Sequence, residues 1–427
     1  MRLEDRLRNL DKSYPAARRK TVGPEPEARL LEMIDGSLRR NRLGEFVLIR
    51  KSFDAQRLRE EINLTHPVVL GGEMLTRICS SRKSRQQDGF PAPFDLKKAV
   101  FFDCETTGLA GGVGTHAFLV GVGYMCGDEF VVEQYFMQDF HQEGAVLTAV
   151  AERLAGFEFL VSYNGKCFDL PLLETRWTIH RIDHNRDVWF HVDLLYPCRR
   201  LWKKRLVDCS LSNVENRILG VKRKVDVPSY LVPQIYFDYL RTGEIEPLLG
   251  VFHHNRYDIL SLLGLSIAID GLLGDSGLSR ILEPGDLLSL GRIHRNLGNH
   301  RAGIDCLKRA LSQRLPTELH LEISAGLASL YRRMGMLDDA AETWHTLVDE
   351  NTLFSLRAHE ELAKYYEHKK KDYHMALSFV EKAISFLVSD LSSGSEHPQH
   401  NRIDSLLYRK SRLRRKIEKS SANPRSG

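Results

Sequence analysis

The hydrophobic pattern of the chain changes character three times. Residues 1–40 are rich in Arg, Glu and Pro and poor in large apolar side chains, which predicts a flexible or weakly helical basic arm. Residues 41–95 form an N-terminal extension with short strand-like pieces, EFVLIRKSF and HPVVLGG, before a charged, proline-containing loop, SSRKSRQQDGFPAPF. From Lys97 the strands KKAVFFD, HAFLVGVGYM and EFVVEQYFM follow, the last two separated by the turn residues CGD. HQEGAVLTAVAERLAGF has helical spacing and FEFLVSYNG returns to strand. Helices then dominate: LPLLETRWTIHRI, VDLLYPCRRLWKKRL, SLSNVENRILG and a long stretch from Ile245 to Leu273. Strands followed by helices that cover them predict a layered α/β domain over 96–275.

The next region repeats. LGNHRAGIDCLKRAL, MGMLDDAAETWHTLV and KKDYHMALSFVEKAI align with one another, placing Gly303, Ala340 and Ala376 in register, followed by Ala310, Leu347 and Ala383. The spacing is close to the ~34 residues of a tetratricopeptide unit, in which small residues let two helices cross closely. Residues 286–390 therefore resemble tetratricopeptide repeats, an all-α helical array, and 391–427 read as a basic tail containing YRKSRLRRKIEK.

Composition narrows the class. The 427 residues are 42% hydrophobic and 27% charged, and the net charge of +5 permits a polyanionic partner without requiring one. The charged start MRLEDRLRNLDK has no apolar core of a secretory signal. No apolar stretch has the length of a membrane span; AFLVGVGYMC is short and interrupted by glycines. Seven scattered cysteines without a C-x-x-C pair suit free thiols in a reducing compartment. A cytoplasmic enzyme or binding protein with no membrane partner is expected.

Three segments carry acids in unusual company. FFDCETTGL ends a strand with Asp103 and Glu105, which at i and i+2 share one face and repel each other. In SYNGKCFDLP, Asp169 follows a strand and turn and starts a helix; alone it would also serve as an N-cap. In HHNRYDILSLLGL, Asp258 stands in an otherwise apolar helix; alone it would also serve as a solvated helix residue. Four carboxylates converging on one site suit two hard divalent cations, Mg²⁺ or Mn²⁺. Two such cations ~3.5–4 Å apart activate water and stabilise the leaving oxygen of a phosphodiester, with Asp103 bridging them.

FFDCETTGL, SYNGKCFDLP and the H-x-x-x-D of HHNRYDIL resemble, in order and spacing, the three exonuclease motifs of the DEDD superfamily, in its YprB-like branch of the ribonuclease H-like fold. VDLL at Val192–Leu195 and SLSNVENRILG are similar to that branch as well. The resemblance implies an α/β ribonuclease H-like domain, a mixed sheet with flanking helices, and a 3′–5′ exonuclease acting on DNA or RNA through two metal ions. It implies that Asp103, Glu105, Asp169 and Asp258 are the metal-binding acids. It also implies that Thr106, Thr107 and Leu109 contact the terminal nucleotide, and that Asn164 and Phe168, the polar and aromatic positions of the second motif, bind nucleic acid. Related branches carry a ring four or five residues before the last Asp, and His254 and His253 stand at those places. His254 shares the face of Asp258 if the helix has already begun, His253 if it starts between them. Either would serve as the base for the attacking water, and the resemblance favours His254, because the YprB-like motif has its ring four residues before the last Asp.

Other signals have competing readings. GLAGGVGTH lacks G-K-[ST] and reads as a turn. CRRLWKKRL either guides a phosphate backbone with Trp202 stacked on a base, or buries Leu201 and Trp202 with its charges solvated. The basic tail adds non-specific affinity for nucleic acid or is a solvated end, and His180 and His191 read as structural. The competing function is an interaction protein that binds nucleic acid without cutting while its repeats recruit a protein partner; an endonuclease of the same fold is a second alternative.

Overall fold

The computed structural model describes residues 24–63, 71–79, 93–108, 114–184, 189–223, 226–274, 282–348, 352–392 and 400–422. The expectations for residues 1–23, the HPVVL strand, most of the SSRKSRQQDGFPAPF loop, Leu109 with the glycine-rich turn, and both ends of the basic tail lie outside the described residues. The chain divides into two compact units, residues 1–199 with 206–277, and residues 200–205 with 278–427.

The first unit is built on a seven-stranded mixed sheet: β1 (Gly36–Asn41), β2 (Gly44–Phe53), β3 (Ala99–Thr106), β4 (Ala117–Cys126), β5 (Glu129–Phe136), β6 (Phe159–Ser162) and β7 (Phe190–Asp193). Their order across the sheet is β1-β2-β5-β4-β3-β6-β7. Pairing is antiparallel from β1 as far as β3 and parallel from β3 through β6 to β7. Part of the predicted arm is ordered: Pro24–Ile34 is a helix, α1, and β1 and β2 extend the same sheet that carries the acids.

Central strands are apolar on both sides because helices cover both faces. One face meets α3 (Glu143–Leu154), which follows α2 (Ala55–Ile62); there Arg153 reaches Glu133 and Tyr135 of β5. The other meets the long helix α7 (Glu246–Leu273), where Phe136 packs edge-on against Phe252 and Gln134 donates to the Phe252 carbonyl. Being buried on nearly every side, α7 shows little amphipathic periodicity. The unit's other helices include a short one at Glu73–Cys79, α4 (Asp169–Ile179), most of α5 (Leu195–Trp202) and α6 (Val232–Thr242), whose Tyr236 stacks on Phe118 at 4.0 Å. Among the described residues no helix is long and apolar enough to cross a membrane.

Two predicted helices change shape. VDLLYPCRRLWKKRL begins as strand β7, because Val192 and Asp193 pair with Val161 and Ser162 before α5 starts. SLSNVENRILG is a four-residue helical turn continued by a wider π turn, Glu215–Leu219, which Gly220 ends in the left-handed region at φ 70°.

The second unit is all-helical: α8 (Pro284–Leu297), α9 (His300–Leu311), α10 (Thr317–Arg333), α11 (Leu337–His345), α12 (Leu353–Tyr365), α13 (Tyr373–Ser392) and α14 (His400–Ala422). The repeat's small positions are where helices touch: a Cβ at Gly303 would meet the Gly291 carbonyl and Leu330 at 3.1 Å each, and Ala340 and Ala376 are buried. Trp202, at the edge of this unit, is buried, so its ring has no face to offer a base. The basic stretch is not a solvated end. Over 400–422 it is the docked helix α14, because Arg409, Arg412 and Lys416 all donate to the fully buried Glu367 at 2.7–2.8 Å.

Candidate metal-binding active site

Strand β3 carries Asp103 and Glu105 on the face toward α7, and a register shift between Glu105 and Thr106 turns the chain away just beyond them. The approach of α7 depends on what lies across the sheet. Asp103 pairs with Gly121 of β4, which in turn pairs with Gln134 of β5. A Cβ on Gly121 would lie 2.3 Å from the Asn255 side chain, so only glycine admits Asn255 there. Asn255 then accepts from Gln134 at 2.9 Å and donates to Asp103 Oδ2 at 3.0 Å, fixing that carboxylate from behind. Gly121→Ala should therefore weaken metal-dependent activity more than it weakens folding. Paired rate and thermal-unfolding measurements test this, and an unchanged rate would remove Asn255 from the argument.

One turn of α7 beyond His254 stands Asp258, with His254 Nε2 3.4 Å from Asp258 Oδ2. Because α7 has already begun at Glu246, the residue four positions back shares the face of Asp258. His253 lies elsewhere, stacked on Tyr257 with ring centres 4.4 Å apart. Side-chain ligand atoms of Glu105, His254 and Asp258 all fall within 4.8 Å of one another, and all three residues are buried.

Asp169 enters from the first turn of α4. The N-cap place belongs to Phe168, which makes no side-chain cap bond, so Asp169 is free of that duty. The preceding loop is shaped by two residues. Asn164 takes a left-handed conformation at φ 64°, and a Cβ on Gly165 would lie 2.5 Å from Ser162 Oγ. Buried Asp193 secures the loop, accepting from the Asn164 amide at 2.8 Å, the Lys166 amide at 3.2 Å and the Leu195 amide at 3.1 Å. The Phe168 ring is 57% exposed beside this loop. The Thr106 hydroxyl donates to the Gly108 carbonyl at 2.9 Å, and the Thr107 hydroxyl accepts from the His116 amide at 2.9 Å. His191 and His180 are structural: His191 lies 2.7 Å from Ser162 Oγ and His180 2.7 Å from Glu143.

The electrostatics fit a cation. Burial, then the carboxylates of Asp258, Glu105 and Asp169, push the Asp103 pKa well above the carboxylate range, against the pull of the Asn255 hydrogen bond. Burial is the main cause that lifts Glu105 to about 8 and Asp169 to about 7. Glu105 Oε1 is buried without a hydrogen-bond partner. An orphaned carboxylate oxygen beside like charges, in an oxygen-rich set, is what a hard divalent cation relieves.

A polar frame that the motifs did not reveal surrounds these groups. Arg223 pairs with Asp258 and is held by Glu215 through Nε and Nη2 at 3.0 and 2.5 Å. His254 Nδ1 lies 2.6 Å from Asp226 and 3.2 Å from Arg223 Nη1, which orients the ring with Nε2 toward the acids. Burial opposes a charge on His254, but Asp258, Glu105 and the Asp226 hydrogen bond together raise its pKa.

With this geometry in view, residues 100–269 match the RNase_H superfamily and residues 287–314 match the tetratricopeptide repeat. The YprB protein of Bacillus subtilis (strain 168), itself described as uncharacterized, is 34% identical over 295 residues, covering 68% of this chain and 70% of that protein. The chain belongs to the YprB family. Among solved structures, the family B DNA polymerase from the hyperthermophilic archaeon Pyrobaculum calidifontis matches with a TM-score of 0.33 and 17% identity. That match covers 58% of this chain and spans 30% of the polymerase chain. The YprB-family chain thus joins an RNase H superfamily domain to helical repeats.

Holding four acids together without a cation should leave this site a source of instability. Adding Mn²⁺ or Mg²⁺ at 100 times its Kd should stabilise the protein by about 2.7 kcal/mol. Differential scanning calorimetry with and without Mn²⁺ checks this, and no shift at millimolar metal would contradict a metal site.

Proposed function

We propose that this protein is a metal-dependent nuclease that hydrolyses phosphodiester bonds of DNA or RNA from a 3′ end. The observation that carries the reading is the placement of Asp103, Glu105, Asp169 and Asp258, with His254, at one end of an RNase H superfamily sheet. Those four acids would hold two divalent cations, Mg²⁺ or Mn²⁺. Bound cations would supply a low-pKa water and neutralise charge on the leaving oxygen. The protein's own groups do the positioning. His254 Nε2, with its other nitrogen held by Asp226, would take the proton of the attacking water. Arg223, locked by Glu215, would keep Asp258 in place. Thr106, Thr107 and Leu109 would seat the terminal nucleotide, and Asn164 and Phe168 would contact the nucleic acid beside it. The repeats would receive a protein partner, since stacked helix pairs present an extended surface.

The test is degradation of 3′- and 5′-labelled single-stranded DNA and RNA in Mn²⁺ or Mg²⁺. A ladder that shortens from the 3′ end is expected. Internal cuts would make the enzyme an endonuclease. Tight binding with no cleavage under any cation would favour a scaffold that binds nucleic acid.

A further inference from the structure

We propose that Tyr196 and Phe168 form a base-stacking platform, flanked by Lys166 and Arg199, that holds a single-stranded nucleic acid one or more nucleotides inward from the scissile end. The proposal rests on the nuclease reading above and extends its site from Phe168 to Tyr196, Lys166 and Arg199, which that reading does not use.

Two large aromatic side chains are exposed on elements that meet at the loop before Asp169: Phe168 is 57% exposed and Tyr196 is 42% exposed. They come from different elements, the loop before α4 and the first turn of α5. One buried carboxylate brings these elements together, since Asp193 accepts from Asn164 and Lys166 on one side and Leu195 on the other. The Tyr196 hydroxyl consequently lies 3.8 Å from Sγ of Cys167, the residue next to Phe168. Lys166 and Arg199 are exposed on the same two segments. Exposed rings interleaved with cations suit a single strand, whose bases stack on aromatic faces while its phosphates meet Lys and Arg. Phe168 immediately precedes Asp169, so a strand stacked here would run toward the acids.

The test compares wild type, Tyr196→Ala and Tyr196→Phe. Binding of fluorescein-labelled 20-nucleotide oligo(dT) and oligo(U) is read by anisotropy with Ca²⁺ as the added cation. Turnover in Mn²⁺ is read on the same oligomers and on the 4-nitrophenyl ester of thymidine 5′-phosphate, which is too short to reach the platform. Tyr196→Ala should weaken oligomer binding, and raise KM for oligomers, by roughly tenfold or more, with turnover of the ester unchanged. Tyr196→Phe should behave as wild type, because stacking needs the ring and not the hydroxyl. Lys166→Ala and Arg199→Ala should each lower the salt dependence of binding by about one counterion. Oligomer binding and KM unchanged in Tyr196→Ala would overturn the platform, as would wild-type protein that binds no oligomer. Oligomer binding that depends on Tyr196 in a protein that cleaves nothing would uphold the platform and defeat the nuclease reading.

Discussion

Asp103→Asn is expected to abolish metal-dependent cleavage while leaving the metal-free protein at least as stable as wild type. The two halves have one cause. Asp103 is the acid whose charge is opposed by burial and by Asp258, Glu105 and Asp169 together. Asparagine keeps the shape and still offers an oxygen to Asn255, so the packing of α7 on β3 survives. It removes one negative charge from a place where folding must confine several. What it takes away is a ligand charge, and metal-ion stabilisation of charge in phosphoryl chemistry is worth several kcal/mol. At 1.36 kcal/mol per decade that is a loss of roughly 10³-fold or more. The measurements are single-turnover cleavage in saturating Mn²⁺ and the metal-free unfolding midpoint. Wild-type cleavage by the variant would end the claim for Asp103. A collapse of the metal-free midpoint would mean that Asp103 serves the fold instead.

How much of this could be read beforehand differs from residue to residue. Asp103, Glu105, Asp169 and Asp258 stood out because acids at strand ends or in apolar helices are costly without a purpose. The choice between His254 and His253 turned on where α7 begins; the apolar stretch from Ile245 already pointed to an early start, and with its start at Glu246 the i−4 residue falls on the Asp258 face. Gly121 looked like an interruption in an apolar strand, because its role is to leave room for a side chain 134 positions later in the chain. Arg223 sat in a basic run, VKRKV, that reads as solvated surface, and its burial follows only from Glu215 and Asp258 closing on it. Val192 and Asp193 precede a helical pattern so closely that the parallel pairing with β6, a contact just over thirty residues distant, was invisible. The basic C-terminal stretch misled for a related reason: its cations answer Glu367, a buried acid in another helix. In each case local periodicity found the element, and a long-range polar or steric contact decided its role.

The largest effect on stability should come from a second charged cluster, outside the candidate site. Glu143, at the start of α3 and nearly inaccessible, receives Arg176 through Nε and Nη2 at 2.6 and 2.5 Å, and lies 2.9 Å from His116 and 2.7 Å from His180. Arg176 is itself buried. Burial works against the Glu143 charge, but the hydrogen bonds from His116, Arg176 and His180 outweigh it and bring the pKa down to about 2. A carboxyl whose folded pKa lies below its unfolded value binds its proton more readily in the unfolded chain. Its stabilising contribution is therefore complete above pH ~4.5 and is lost as pH falls toward 2. At 1.36 kcal/mol per unit the contribution is roughly 3 kcal/mol. Glu143→Ala should cost about 3–5 kcal/mol at pH 7, because it removes the carboxylate that a buried guanidinium and two imidazoles share. The difference from wild type should shrink as wild type itself becomes protonated in acid. Urea unfolding at pH 7 and pH 3 checks both statements, and a penalty that does not diminish on acidification would mean that packing, not charge, is what Glu143 supplies. The cluster also reaches the proposed reaction. His116 pairs through its backbone with Thr107, giving and accepting hydrogen bonds at 2.9 Å. Loosening His116 should therefore raise KM for a nucleic-acid end through Thr107, while kcat, which depends on the acids and His254, changes less.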